Sequence, residues 1–279
     1  RINEILSTGT LSELPLNSNH ENEDREKLLQ ITGIGNSKCN ALLAKNITLP
    51  KLQEELEKNG GNITEIPADS ILEELTHHQL IGLKYLDNIN LRIPRLEISK
   101  IENKIKKVIL QIDPKLEMII CGSYRRQAPN SGDIDMLVLH SELQTKSDVD
   151  SHPTNFLPKI VSKLEQKKIL VAHLTNEGNT KYMGLCRLTS RSKARRIDIR
   201  FIPYESKAAA ILYFTGSGNF NKEMRSEALK KKYTINEYGI YHLKKQGRKM
   251  EKGQIVPTQE EKDIFDVIGK EYVEPQHRK

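Results

Sequence analysis

Two short runs that set carboxylates inside a strand-type alternation constrain this chain more than any other feature. The first, Cys121 to His140 (CGSYRRQAPNSGDIDMLVLH), opens on Gly122-Ser123, carries Arg125 and Arg126, and closes on Asp133 and Asp135 in an apolar run. Successive strand side chains point to opposite faces, so Asp133, Asp135, Leu137 and Leu139 share one face and Ile134, Met136 and Val138 the other. Two carboxylates that close repel unless a cation or a proton lies between them, and hard oxygen donors suit Mg²⁺ or Mn²⁺. The second run, Arg195 to Ile202 (RRIDIRFI), places Arg196, Asp198 and Arg200 on one face and Ile197, Ile199 and Phe201 on the other. If the two strands are neighbours, Asp198 completes a trio able to hold two metal ions that clamp the attacking and leaving oxygens of an in-line phosphoryl displacement. Gly122-Ser123, following a strand over Met118 to Cys121, lets main-chain N–H groups approach an anion. A lone D-x-D is more often solvated or a cap than a metal site. The coincidence of all three features predicts nucleotidyl transfer.

Further along the chain stand HHQLIGLKY (His77 to Tyr85), RIPR (Arg92 to Arg95), YFTGSGNFNKEMR (Tyr213 to Arg225) and TINEYGIY (Thr234 to Tyr241). With GSYRR, SGDID and RRIDIR these ordered blocks resemble the family X DNA polymerases over nearly the whole chain. The resemblance implies an α+β fold: residues 1–25 as the remnant of a lyase domain and a linker, 26–91 as a helix-hairpin-helix DNA-binding subdomain, 92–203 as a catalytic palm, and 204–279 as a small α+β nucleotide-selecting subdomain. It implies a DNA-directed DNA polymerase that fills short gaps in base excision repair, taking dNTPs and gapped or primer-template DNA, monomeric and nuclear. Two alternatives remain: a template-independent terminal nucleotidyltransferase, which could share the trio, and a DNA-binding scaffold with an inactive palm. The short loop Thr189 to Ala194 and the ordered Asn221 and Arg225 favour templated synthesis, and the intact trio argues against the scaffold.

The same resemblance assigns roles. Asp133, Asp135 and Asp198 would bind two Mg²⁺ (or Mn²⁺) ions, with Asp198 orienting the primer 3′-hydroxyl. Arg92, Ser123, Arg126, Ser131 and Gly132 would hold the triphosphate, and Tyr213, Phe214 and Gly216 would exclude a ribose 2′-OH by their backbone. Asn221 and Arg225, four residues apart on one helix face, would meet the nascent pair and the template. Thr180, Lys181, Arg196 and Tyr238 would contact DNA, and Glu237 would pair with Arg200. Gly218 stands where the family's best-matching pattern carries an acidic residue, so a side-chain contact to the incoming base is expected to be lost.

Composition agrees with these partners. The 279 residues carry a net charge of +7 with a pI near 9.1, which favours a polyanionic partner. Cys39, Cys121 and Cys186 are widely spaced without a CxxC pattern, which argues for a reducing compartment. No apolar run approaches the roughly 18 residues of a membrane span, and no signal peptide opens the sequence, so a soluble intracellular protein without a membrane partner is expected.

Other stretches set local expectations. Arg1 to Gly9 resembles only the last helix of the family's lyase domain, so polymerisation without lyase activity is expected. Ser12 to Arg25, polar and rich in Asn and Glu, reads as a linker. In Lys27 to Leu43 a glycine hairpin offers backbone N–H groups at Gly33 and Gly35 to a phosphate. By resemblance, the carbonyls of Leu29, Ile31 and Ile34 would hold a monovalent cation, Na⁺ or K⁺. His77 and His78 diverge by about 100° on a helix and read as structural. Ile98 to Leu110 reads as an amphipathic helix beside the catalytic sheet, and Glu260 to Tyr272 as a terminal amphipathic helix.

Overall fold

The structure, a computed structural model, describes residues 17–175, 178–246 and 249–279. The expected lyase remnant at Arg1 to Gly9 therefore lies outside the described residues. The chain divides into two compact units, Arg1–Asn90 and Leu91–Lys279.

The N-terminal unit is helical: α1 (Asn17–Leu29), α2 (Asn36–Ala44), α3 (Leu49–Lys58), α4 (His77–Lys84) and α5 (Leu86–Ile89). In α3 the apolar residues Leu49, Leu52 and Leu56 recur at helical spacing and are buried in a core with Leu28, Ile31, Leu42, Leu72 and Leu83. Helix α4 starts at a capping box, in which Thr76 Oγ1 accepts from Gln79 N at 3.3 Å and Gln79 Oε1 accepts from Thr76 N at 3.0 Å. The linker expected over Ser12 to Arg25 is corrected from Asn17 onward, where the chain is already helical. Tertiary contacts hold this polar helix: Leu28 is buried, Cys39 Sγ donates to the Arg25 carbonyl at 3.7 Å, and the Arg25 guanidinium donates to Asn40.

The C-terminal unit runs β1 (Ile93–Pro94), α6 (Arg95–Ile112), β2 (Leu116–Ile120), α7 (Gly122–Arg125), β3 (Asn130–Ser131), β4 (Ile134–His140), α8 (Lys146–Ser151), α9 (Phe156–Gln166), β5 (Leu170–His173), β6 (Lys181–Cys186) and β7 (Arg195–Phe201). Strands β2-β4-β7-β6-β5, in that order, form a mixed sheet in which only β4 and β7 run parallel. The expected alternation holds: Ile134, Met136, Ile197 and Ile199 are buried in a core shared with Ile98, Ile101 and Ile105 of α6 and Ile160 and Leu164 of α9.

Beyond the sheet follow α10 (Lys207–Thr215), α11 (Gly218–Lys230), β8 (Tyr233–Asn236), β9 (Gly239–Gln246), β10 (Lys249–Val256) and α12 (Glu261–Val267). The three strands make an antiparallel meander. Its core joins Leu212, Phe220, Met224, Ile235, Ile240, Ile264 and Phe265. Helix α12 is shorter than the helix expected over Glu260 to Tyr272. It stops at Val267 because Gly269 adopts φ +69°, and Lys270 N then donates to the Phe265 carbonyl at 2.9 Å.

Candidate active site

The parallel register of β4 and β7 puts Asp135 opposite Asp198. One carboxylate oxygen from each of Asp133, Asp135 and Asp198 lies within 4.8 Å of the other two. Arg196, on the same face of β7, donates to Asp133 Oδ2 at 2.6 Å and stands 3.9 Å from Asp198 Oδ2. Asp198 Oδ1 and Arg196 Nε are buried without a hydrogen-bond partner. Burial raises the Asp135 carboxyl to about 7, helped by the charges of Asp133 and Asp198 and opposed by Arg196 and Arg126. Burial also raises Asp198, against the pull of Arg196. An all-oxygen cluster in which burial and mutual repulsion raise two carboxyls, with an orphaned carboxylate oxygen, fits a divalent cation.

The Gly122-Ser123 turn closes on this cluster. Gly122 has φ +56°, and a Cβ there would sit 2.2 Å from Asp135 Oδ2, so only glycine lets the backbone approach the carboxylate. Cys121 N donates to the Asp135 carbonyl at 2.8 Å, tying the turn to β4. Tyr124 fixes the turn from behind. Its hydroxyl donates to Glu102 Oε2 at 2.9 Å and lies 3.0 Å from Ser99 Oγ, both on α6, while the Arg95 guanidinium lies 4.2 Å from the centre of its ring.

Arg92, Ser123, Arg126, Gly132, Asp133, Asp135, Tyr213, Phe214, Gly216 and Asn221 line one open cleft of about 380 Å³. Those expected nucleotide residues are therefore brought together. Gly122, Thr215, Ser217 and Gly218 line it as well, each from within a quoted block. Ser131 is buried beside Gly132 with its hydroxyl unpartnered. Arg92 is held by Asn130, donating to its side-chain oxygen at 2.7 Å, and Arg126 donates to the Thr215 carbonyl. At the end of α10, Gly216 turns the chain at φ +64°, and Asn221 Nδ2 donates to the Tyr213 carbonyl at 2.7 Å. A larger cavity of about 580 Å³, walled by Tyr204, Glu205, Lys207 and Thr258 to Glu261, contains none of the three aspartates.

Some expected residues do not enter the cleft. Thr180, Lys181, Arg225 and Tyr238 do not line it. Arg196 is turned onto Asp133. The expected pair of Glu237 with Arg200 is not formed: Arg200 instead lies 5.5 Å from the Phe214 ring centre. In the N-terminal unit, Gly33 takes φ +90° and its carbonyl accepts from Gln79 Nε2 at 2.8 Å, while Gly35 caps α2 with open space beside its Cα. Of the carbonyls expected to hold a cation, that of Ile31 accepts from Ile34 N at 3.0 Å.

The sequence of residues 92–204 matches the family described as the DNA polymerase beta palm, and residues 210–279 match the DNA polymerase beta thumb. The chain belongs to the family X DNA polymerases. It is 37% identical to DNA polymerase lambda of Rattus norvegicus over 214 residues, which is 74% of this chain and 36% of that protein. It is 29% identical to DNA polymerase lambda of Arabidopsis thaliana over 294 aligned positions, covering 99% of this chain and 50% of that protein. The chain thus spans between about a third and half of the length of these relatives.

Within this family X palm and thumb, a buried network joins the cleft to the end of the chain. Glu261 of α12 receives both Arg125 nitrogens, Nη1 at 3.1 Å and Nη2 at 2.5 Å, and Arg278 Nη1 at 2.6 Å. Arg125 also donates to Thr215 Oγ1 at 2.9 Å, beside the cleft. Neither charge pattern nor periodicity marks these residues in the sequence, because Arg125 and Glu261 are 136 positions apart. Among the described residues, no helix is long and apolar enough to cross a membrane.

Proposed function

We propose that this chain is a template-directed DNA polymerase that joins a deoxynucleotide to a primer 3′-hydroxyl and fills short gaps in base excision repair as a monomer. The observation that carries this reading is the carboxylate trio within 4.8 Å, of which Asp133 and Asp135 wall a cleft together with Gly122-Ser123, Arg92 and Arg126 while Asp198 does not line it. In the reaction the primer 3′-hydroxyl gives its proton to Asp198, a bond forms between the 3′-oxygen and the α-phosphorus, the bond from that phosphorus to the bridging oxygen breaks, and pyrophosphate leaves.

Asp133, Asp135 and Asp198 would hold two Mg²⁺ (or Mn²⁺) ions. Bound there, the ions supply Lewis acidity that lowers the pKa of the primer hydroxyl and neutralises charge on the transferring phosphate. Asp198 orients the 3′-hydroxyl. Arg196 gives up Asp133, with which it is now paired, and turns to DNA. Arg92, Ser123, Arg126, Ser131 and Gly132 grip the triphosphate, and the unpartnered Ser131 hydroxyl suits such an acceptor. The backbone at Tyr213, Phe214 and Gly216 crowds the sugar 2′-position, and Asn221 approaches the nascent pair.

DNA would be held away from the chemistry by Thr180, Lys181, Arg225 and Tyr238. The N–H groups at Gly33 and Gly35 would hold a backbone phosphate, with Na⁺ or K⁺ at the carbonyls of Leu29, Ile31 and Ile34. In this reading residues 26–91 bind DNA, 92–203 are the palm and 204–279 select the nucleotide.

The test is extension of a primer on a one-nucleotide gap with each dNTP supplied singly. Only the complementary dNTP is expected to add. Addition irrespective of the template base would replace the proposal with template-independent transfer, and no addition with either metal would remove the enzymatic reading.

A further inference from the structure

One strongly basic stretch of this chain extends beyond the cleft. Residues 218–256, comprising α11 and the three-stranded meander, hold ten lysines and arginines against four glutamates, a net +6 out of +7 for the whole chain. The catalytic cleft accounts for none of the cluster at 230–252.

Helix α11 connects the two. Asn221 lines the cleft, and Arg225 and Leu229 follow at four-residue spacing on the same stripe of the helix. Arg225 is exposed and donates to the Asn221 carbonyl at 3.2 Å, and Leu229 is 57% exposed. Nine residues from Asn221, about 13 Å along the axis, the stripe reaches Lys230, Lys231 and Lys232. Lys232, at φ +63°, turns the chain into β8, and its carbonyl accepts from Leu243 N at 2.7 Å, which sets it beside Lys244 on β9.

Lys230 is paired with Glu227 at 2.7 Å, but Lys231, Lys232 and Lys244 are exposed and make no ion pair within 4 Å among the described residues. Exposed His242 stands between Leu243 and Tyr241 on β9, its ring 4.9 Å from that of Tyr233. Lysines at the end of a helix are commonly explained by the macrodipole. That explains Lys230 and Lys231; it does not explain Lys244 on a strand or the exposed Leu229.

We infer that the stripe Asn221, Arg225 and Leu229, continued by Lys231, Lys232 and Lys244, is a track for the unpaired template strand on the 5′ side of the templating base. The inference rests on the polymerase reading above. Charge complementarity selects a polyanion, and continuity with the cleft selects the strand that emerges from it. An apolar side chain and paired rings among unpartnered lysines suit unstacked bases on a flexible backbone, whereas a duplex keeps its bases stacked inside.

The test measures affinity by fluorescence anisotropy for two primer-templates, with one and with eight unpaired template nucleotides, over a range of salt. The unmutated protein is expected to bind the longer overhang several-fold more tightly and with a steeper salt dependence, by about 0.7 in the log–log slope per extra phosphate contact. The triple variant Lys231→Gln, Lys232→Gln, Lys244→Gln is expected to bring the ratio to about one. Its affinity for the short overhang and its nucleotide addition there should stay within about twofold of the unmutated protein.

The track is overturned if the unmutated protein binds both templates equally, or if the variant weakens both alike. It is also overturned if the variant keeps the full overhang dependence, as it would were the lysines a seat for an acidic partner protein. Overhang-dependent binding that the variant abolishes, without nucleotide addition by either protein, would support the track and reject the polymerase reading.

Discussion

Asp135 faces Asp198 across the only parallel strand pair of the five-stranded sheet, while Arg196, two residues before Asp198, donates to Asp133 at 2.6 Å. The neighbouring cations, Arg196 and Arg126 first for Asp135, thus only partly balance the three carboxylates. The remaining imbalance appears as the raised Asp135 carboxyl, and it sets the first prediction.

In the metal-free protein Asp135 titrates near 7, above its ordinary 3.8, so the folded state binds more protons than the unfolded state between those values. Its contribution to stability is therefore fully present at low pH and is lost as pH rises through 7. Asp135→Asn mimics the protonated form and escapes the loss. In chemical denaturation without divalent metal, the Asp135→Asn variant is expected to be more stable than wild type at pH 8 by about 1–2 kcal/mol, with the difference vanishing near pH 4. A difference independent of pH would mean that Asp135 is not held protonated by its neighbours.

Tyr124→Phe removes the hydroxyl that ties the Gly122-Ser123 turn to Glu102 and Ser99. A hydrogen bond to a carboxylate is worth about 1.5–3 kcal/mol, and in the proposed function part of it would position the triphosphate grip. The expected result in steady-state kinetics is a KM for dNTP raised about three- to tenfold with kcat changed less than twofold. A purely structural role would lower stability and leave KM alone.

Glu261 sits buried between Arg125 and Arg278. Removing one member of such a group strands the others' charge at about 3–5 kcal/mol. Glu261→Ala is expected to shift the urea midpoint accordingly, and to weaken nucleotide binding through the Arg125 to Thr215 contact. A loss below about 1 kcal/mol would show that solvent reaches the guanidinium groups.

Arg225 donates to the Asn221 carbonyl, and the Asn221 side chain donates to the Tyr213 carbonyl at the cleft wall. In the proposed function that chain would link the template side of α11 to the nucleotide. Arg225→Ala is expected to cut kcat/KM for correct insertion about tenfold or more and for mispairs less, narrowing the ratio between them. An unchanged ratio would separate Arg225 from selection.

Much of this arrangement could be read from the residues. Period-two alternation put Asp133 with Asp135 and Asp198 between buried isoleucines, and the parallel neighbours β4 and β7 supplied the one relation that alternation cannot give. The helix at Asn17–Leu29 was hidden because its polar residues carry almost no periodic signal, and its anchors, Leu28 and the Arg25 backbone, act through contacts with α2 and the core. Gly269 shortened the last helix by a backbone conformation. The Glu237 to Arg200 pair was expected by resemblance, and Arg200 lies instead over Phe214. The Arg125, Glu261 and Arg278 network joins three distant positions, and only the folded chain reveals it.

The most direct measurement is filling of a one-nucleotide gap by wild type and Asp198→Ala in Mg²⁺, with gapped-DNA affinity measured in parallel. In the proposed function DNA would be gripped mostly through phosphates away from the carboxylates. The predicted result is nucleotide addition reduced more than a hundredfold with affinity changed less than about threefold. Addition by Asp198→Ala above a hundredth of wild type would contradict the assignment of the trio as the catalytic centre.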